Sequence, residues 1–335
     1  MARDYRIDTL KGLLIILVIL GHVITTFDNQ NVVNHAVMGL VYSFHMPLFI
    51  LISGYLTKNP AQQSAREMWR GVFNIFFTLV IFQILSSFRI QLLGGSFLAA
   101  IQIIPFGVLW YLMCLIYWRI ALYYTPKWLL QRPALYLGLA LAASVLIGLS
   151  YLGNPFAIQR AVNFYFFFLL GYYCRQGALP ARWWNNNVLH AIVALITLPL
   201  LFWLFPHCGG FMNGADHYKF KDFPEKALVL ACAISMSILV FNLVKDVRVL
   251  REFGKNSLFH YMYHYFIIAL VLQPVIKHFD LPLTLPYIII YTLVVVIILY
   301  GMSKIKLFTW AVEPILKRPE QKSRPSCAES LDHKS

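Results

Sequence analysis

Charge is scarce in this sequence. Only 13% of its 335 residues are Asp, Glu, Lys or Arg and 59% are hydrophobic, whereas soluble domains run near 25% charged and roughly 45–50% apolar. That shortage excludes a chain whose main solvent is water. Acidic residues are the scarcer sign: 14 Asp and Glu against 28 Lys and Arg leave a net charge of +14. A nucleic-acid binder gathers such an excess on one face or stripe. Here the basic residues are spread over many short segments, so nucleic acid is excluded as a partner and the excess reads as orientation in a membrane. The five cysteines, Cys114, Cys174, Cys208, Cys232 and Cys327, show no paired spacing. Three lie in apolar runs, which excludes a disulfide framework and leaves them as free thiols used as small hydrophobes. No internal repeat is visible, which counts against the inverted-repeat architecture common among carriers. No small-x-small cleavage site follows the first apolar run, Leu13 to Leu20; Thr25, Thr26 and Phe27 stand there. The basic start (Arg3, Arg6, Lys11) and this run therefore read as a retained signal anchor.

What the sequence does have is apolar length. One helical span needs about 20 mainly apolar residues, and hydropathy places spans at about 9–27, 36–56, 71–93, 105–123, 133–152, 158–174, 188–206, 226–244, 257–276 and 284–303. The expected fold is all-α, a polytopic integral membrane helical bundle of about ten transmembrane helices. If the N-terminus is cytoplasmic, only Arg89, Arg160, Lys219, Lys221, Lys226 and Lys277 of the 28 Lys and Arg fall on the outer side. The positive-inside bias then puts both termini in the cytoplasm. Residues 1–316 form the membrane domain, and 317–335, charged and Pro-containing, form a disordered cytoplasmic tail. Between them, 304–317 mixes Lys with Leu, Phe and Trp310, as for a segment along the inner interface. The outer stretch 207–222 (HCGGFMNGADHYKFKD) is Gly-rich and polar, an external loop that either shapes access for a substrate or is a solvated linker.

Ionisable side chains inside a bilayer are costly and face a bundle interior or wet cavity. His22, His45, His260 and His264 fall well within spans. Lys11 and His22 lie 11 residues apart, which at about 100° per residue returns them to within roughly 20° of one stripe, separated by about 16 Å along the axis. Asp8 is on nearly the same stripe. One face thus offers a cation at the inner surface and an imidazole past mid-depth, a spacing that fits a long cofactor arm anchored by phosphates; alternatively, Lys11 only snorkels to the interface. The second span reads FHMPLFILISGY from Phe44 to Tyr55. Pro47 removes a backbone donor and kinks a helix, opening space beside His45, which falls at a depth similar to His22. The two imidazoles suit a general base and its orienting partner. Ser53 and Gly54 read as small residues that allow close helix packing, with Ser53, like Asp8, also a candidate for the wall of a substrate cavity. Arg66 and Arg70, at i and i+4, project from one side of a helix and offer forks for phosphate oxygens, or serve as topogenic charge. Trp110, Tyr111 and the run to Trp118 are either interface aromatics or a cavity wall. His260 and His264 are one turn apart, but no HExxH pattern and no carboxylate accompany them, so no metal is expected; His264 reads as a helix contact or a wall of the site.

These blocks resemble the membrane-bound acyltransferase 3 family, especially its fucose 4-O-acetylase-like branch. RIDTLKGLLIILVILGH is similar to the family's opening motif, a basic residue and a histidine with ten residues between, here Lys11 and His22. FHMPLFILISGY is similar to its second signature, with His45 and Ser53-Gly54. The Arg66 to Arg70 segment, LWYL around Trp110, FFFLLGYY ending at Tyr173, and GKNSLFHYMYH with His264 follow in the family's order. The resemblance implies about ten helices in a plasma (bacterial inner) membrane and transfer of an acyl group, usually acetyl from cytoplasmic acetyl-CoA, to a hydroxyl of a sugar or glycolipid. It implies His22 as the essential histidine, acting as general base or transient acyl carrier, and Lys11, Arg66 and Arg70 as donor-binding residues. Many members carry Arg where this chain has Lys11, so the charge is kept and the bidentate fork is not. The rival reading is a proton-coupled carrier or exporter of a small polar or anionic solute, which uses the buried histidines but leaves the Lys11–His22 stripe unexplained. Expected partners are acetyl-CoA, the sugar or glycolipid acceptor and membrane lipid; the oligomeric state, homo-oligomer included, is left open.

Overall fold

The structure, a computed structural model, describes residues 4–27, 32–95, 107–150, 155–204, 217 and 219–313. The tail 317–335 and most of the 207–222 stretch lie outside the described residues. Among the described residues all regular structure is helical, with no strand. The long elements are α1 (Tyr5–Thr26), α2 (Val32–Tyr55), α3 (Ala65–Leu92), α4 (Trp110–Tyr124), α5 (Pro133–Leu146), α6 (Ile158–Arg175), α7 (Asn187–Leu204) and α8 (Phe223–Leu243). The short α9 (Arg248–Lys255) precedes α10 (Ser257–Ile267), which runs on through a π turn, Ile268–Leu272, to Gln273–His278. The last long helix is α11 (Leu285–Met302).

Local chemistry marks the starts. The Asp4 carboxylate accepts the Arg6 N–H at 3.0 Å, capping α1 with an acid that also complements the positive end of the helix. Ser64 and Glu67 form a reciprocal capping box at the start of α3. Pro133 and Pro224 occupy first turns of α5 and α8, where a missing N–H costs nothing.

Among the described residues, seven helical stretches are long and apolar enough to cross a membrane: Tyr5–Thr26, Val32–Gln62, Ala65–Leu92, Gly107–Tyr124, Phe220–Leu243, Ser257–His278 and Leu285–Met302. Pro133–Leu149 and Asn187–Trp203 are apolar but shorter. α6 is absent from both sets because Gln159, Arg160, Asn163 and its tyrosines dilute it. It is nevertheless interior, with Phe166 through Tyr173 buried. The lipid-facing side is plain on α3, where Phe73, Phe76, Val80, Ile84 and Phe88 are exposed at steps of three or four that align them on one stripe. A continuous apolar face of that length needs a non-aqueous neighbour.

α1 stands at the centre. It is apolar over most of its length and largely buried, with Leu10, Leu14, Ile15, Ile19 and Val23 0% exposed, and it packs against α2, α9, α10 and α11. Two crossings rest on glycine. A Cβ added to Gly54 would meet the Phe168 carbonyl, and one on Gly171 the Leu51 carbonyl, so α2 and α6 touch backbone to backbone. Gly12 and Gly254 do the same for α1 and α9. Thr9 reinforces that second crossing, donating to the Asp246 carboxylate (3.0 Å) and accepting the Val247 N–H (3.2 Å). The segment expected along the inner interface forms a short helix, Lys306–Thr309, and a 3-10 turn, Trp310–Val312. The turn packs back on α3 with Ala311 buried, so this part of it is a piece of the bundle.

Candidate active site

Three cavities adjoin one another, the second and third of them against α1. The first, about 470 Å³, is walled by Lys58, Glu67, Arg70, Asn74 and Arg119 among others. The second, about 430 Å³, shares Leu56, Gly71, Asn74 and Arg119 with it and adds Lys11, Ser53, Tyr111 and Tyr261. The third, about 190 Å³, is lined by His22, Tyr42, His45, Trp110, Arg160, Phe164 and Tyr261. Tyr261 belongs to the walls of both the second and the third. The stripe that joins Lys11 to His22 therefore touches successive chambers on either side of one tyrosine.

At the Lys11 end the cations are held differently. Lys11 Nζ is 2.7 Å from Asp8 Oδ1, so Asp8 offsets part of its charge. Arg119 Nε is buried with no hydrogen-bond partner among the described residues, which leaves donor capacity for a ligand in either of the two chambers it lines. Arg70 lines the 470 Å³ chamber, whereas Arg66 is exposed and belongs to none of these walls. The i, i+4 spacing puts the two on one side of α3, but only the inner turn reaches the cavity. Ser53 does more than permit packing. Its hydroxyl donates to the Phe49 carbonyl at 2.9 Å; with that proton spent, the Tyr111 phenol is the donor in their 2.6 Å contact. Tyr111 thereby keeps its own lone pairs available on the chamber side. Phe49, Tyr111 and Tyr261 stack in one aromatic cluster, with centroids 5.3 to 6.0 Å apart.

Past Tyr261 the wall carries imidazoles. The Tyr261 hydroxyl donates to the Val108 carbonyl at 2.8 Å, which fixes the partition ring. His45 Nδ1 lies 2.8 Å from the Val41 carbonyl. A carbonyl only accepts, so Nδ1 carries the proton and Nε2 keeps a lone pair. The same reasoning applies to His264, whose Nδ1 is 2.7 Å from the Tyr261 carbonyl; its Nε2 is buried with no hydrogen-bond partner among the described residues. That ring packs against His22, centroids 5.0 Å apart. His264 is fully buried and lies behind His22 rather than in the cavity wall. His260, one turn before, stacks on Phe253 at 3.8 Å and 12°, so the two imidazoles of α10 serve separate neighbours. The π turn that follows adds a residue to the helix just beyond His264, a distortion frequent at functional sites.

Two arginines enter this region from the expected outer set. Arg160 is in the cavity wall, with its guanidinium 5.0 Å over the Trp110 ring; Trp110 stacks on Phe164. Arg89 lies 4.7 Å over Tyr265, whose ring meets His22 at 5.7 Å. Arg119, Arg160 and Tyr261 are not marked as site residues by the sequence, because an arginine near a helix end is also what topology requires and an aromatic in a span is also what lipid requires; Tyr111, read as an interface aromatic or a cavity wall, is in the wall of the second chamber.

These features define a helical membrane protein with a polar path along its first helix, cationic at one end and imidazole-lined at the other. The acyltransferase 3 family model, described as an acyltransferase domain, matches residues 4–303, and the chain belongs to that family. It is also 47% identical over 57 residues to nodulation protein NolL of Sinorhizobium fredii (strain NBRC 101917 / NGR234), a match that covers 16% of this chain and 16% of that protein. The chain thus aligns with well under two thirds of that relative's length. No solved structure matches.

Proposed function

We propose that this acyltransferase is an O-acetyltransferase of the bacterial inner membrane, with about ten spans and both termini cytoplasmic, that moves acetyl from cytoplasmic acetyl-CoA to a sugar hydroxyl. The carrying observation is the succession of adjoining cavity walls from Arg70 through Arg119 and Lys11 to Tyr261, and beyond it to His22. The CoA phosphates sit among Arg70, Arg119 and Lys11, and the pantetheine arm follows the 430 Å³ chamber toward Tyr261. The acceptor enters the 190 Å³ chamber beside His22 and His45. The small-chamber dimensions and the resemblance to the fucose 4-O-acetylase-like branch both support a sugar residue as acceptor.

The step itself balances simply. The acceptor O–H gives its proton to His22 as its oxygen attacks the thioester carbonyl; the C–S bond breaks, the C–O ester bond forms, and the proton passes to the departing CoA thiolate. A positioned base of this kind contributes about 10²–10⁴-fold, and orientation of two reactants in confined chambers adds to it. His264, whose Nε2 faces burial without a partner, orients the His22 ring, and His45 presents its Nε2 from α2. The carrier reading has no observation of its own beyond the buried imidazoles.

The test uses purified full-length protein in lipid with acetyl-labelled acetyl-CoA and a crude glycolipid extract. Wild type labels the glycolipid fraction, and His22→Ala lowers the rate at least 100-fold. Equal transfer by the two proteins refutes the assignment of His22.

A further inference from the structure

The third chamber is basic where a neutral sugar site has no need of a cation. Among its described lining residues are two imidazoles and the Arg160 guanidinium, and no carboxylate. Arg160 is not at a loose interface: its guanidinium lies 5.0 Å over the Trp110 ring, which is stacked on Phe164. A second guanidinium, Arg89, reaches the far side of His22 through Tyr265. Behind Phe164, the buried Lys226 ammonium donates to Asn163 Oδ1 at 2.6 Å, one turn along α6 from Arg160. One guanidinium thus lines the imidazole-lined chamber, with Arg89 and Lys226 a residue further out, deep in an apolar protein where ionisable side chains mark functional sites.

We propose that the acceptor is an anionic sugar, with a carboxylate or phosphate bound by Arg160 while the hydroxyl to be acetylated faces His22. This deepens the transfer reading and rests on it. The chamber, at about 190 Å³, is smaller than the roughly 300–1,000 Å³ sites of drug-sized ligands, so it takes one sugar residue. Tyr42 and Tyr261 in the wall give that residue flat rings for its C–H surface, and an oxyanion on its rim meets the guanidinium fork, whose geometry matches carboxylate and phosphate alike. Fixing the sugar at Arg160 also selects which hydroxyl reaches His22, so Arg160 is a specificity determinant as well as an anchor.

The experiment separates this idea from the transfer reading. Binding of methyl β-glucuronide, methyl β-glucoside and methyl β-glucoside 6-phosphate is measured by calorimetry on full-length His22→Ala protein in lipid, and acetylation of the same three sugars on wild type. An Arg-to-oxyanion hydrogen bond is worth about 1.5–3 kcal/mol, so at least one anionic sugar should bind about tenfold or more tighter than the glucoside, and Arg160→Gln in the same background should abolish that ratio. Arg160→Lys, which keeps the charge, should retain part of it. Carboxylate preference over phosphate, or the reverse, identifies the anion. Equal binding of charged and neutral sugars overturns the proposal, and so does an anion preference that survives Arg160→Gln. If neither variant folds, the three-sugar comparison on His22→Ala decides alone. Anion preference without any labelled product leaves the anion site standing and removes the transfer reading; label on the neutral sugar with no anion preference does the opposite.

Discussion

Lys11 carries a charge that Asp8 meets at 2.7 Å, and this changes which residue should matter most to the donor. A cation already paired gains less from a phosphate than one whose donors are unspent, since the new contact must compete with the old. Arg119, with a buried Nε lacking a partner among the described residues and a place in both inner chambers, is the stronger anchor. Arg119→Ala should therefore weaken CoA binding about tenfold to 100-fold, from the usual worth of a charged hydrogen bond, and Lys11→Ala by less. Calorimetric titration of CoA into each variant checks the order, and a larger loss at Lys11 reverses it. The sequence made Lys11 and His22 legible through their spacing on a single helix, where geometry is fixed at about 100° per residue. Arg119 and Arg160 were not legible, because their roles depend on how α4 and α6 approach α1 and α2. Arg66 and Arg70 show the limit from the other side: spacing put them on the same face, and only Arg70 lines a chamber.

At the scale of elements, helix positions followed from apolar length, and a helix stands at each expected span. What length did not convey is how close the helices come. Gly54 sits against the Phe168 carbonyl and Gly171 against the Leu51 carbonyl, contacts in which neither side is a movable side chain. Gly54→Ala must separate α2 from α6, shifting Ser53 and His45 relative to Arg160 and Phe164. The expected cost is about 1–3 kcal/mol of stability, as for overpacking elsewhere, with loss of transfer activity. Gly138 on α5 has nothing within 4 Å of an added Cβ, so Gly138→Ala should be neutral or stabilising by up to about 1 kcal/mol, since Ala is the better helix former. Thermal unfolding of both variants in the same detergent measures the contrast; similar melting temperatures for the two would show that the α2–α6 contact is not a constraint. The sequence offers Ser53 and Gly54 as a packing pair and Ser53 also as a cavity-wall residue, and the structure divides them: Gly54 packs, while Ser53 accepts a hydrogen bond from Tyr111 in a chamber wall.

For the whole molecule, the question is how a reagent from one side of a membrane meets a reagent from the other without opening a leak. The path along α1 is interrupted by Tyr261 alone among the described residues common to the second and third chambers. Its ring is pinned at the hydroxyl by the Val108 carbonyl and flanked by Phe49 and Tyr111. On the proposed transfer, a partition of this sort would keep water in the His22 chamber away from the thioester until an acceptor hydroxyl displaces it. Removing the ring should join the chambers. Tyr261→Ala is expected to raise the share of labelled acetyl released as free acetate several-fold relative to that transferred to acceptor. Tyr261→Phe keeps the ring and loses only one hydrogen bond, worth about 0.5–1.5 kcal/mol, and should leave that ratio close to wild type. Separating acetate from acetylated product in a single labelled reaction gives the ratio directly. Were Tyr261→Phe to leak as much as Tyr261→Ala, the barrier would lie in the hydroxyl's hold on Val108 and the position of the Gly107–Leu109 turn, not in the bulk of the ring.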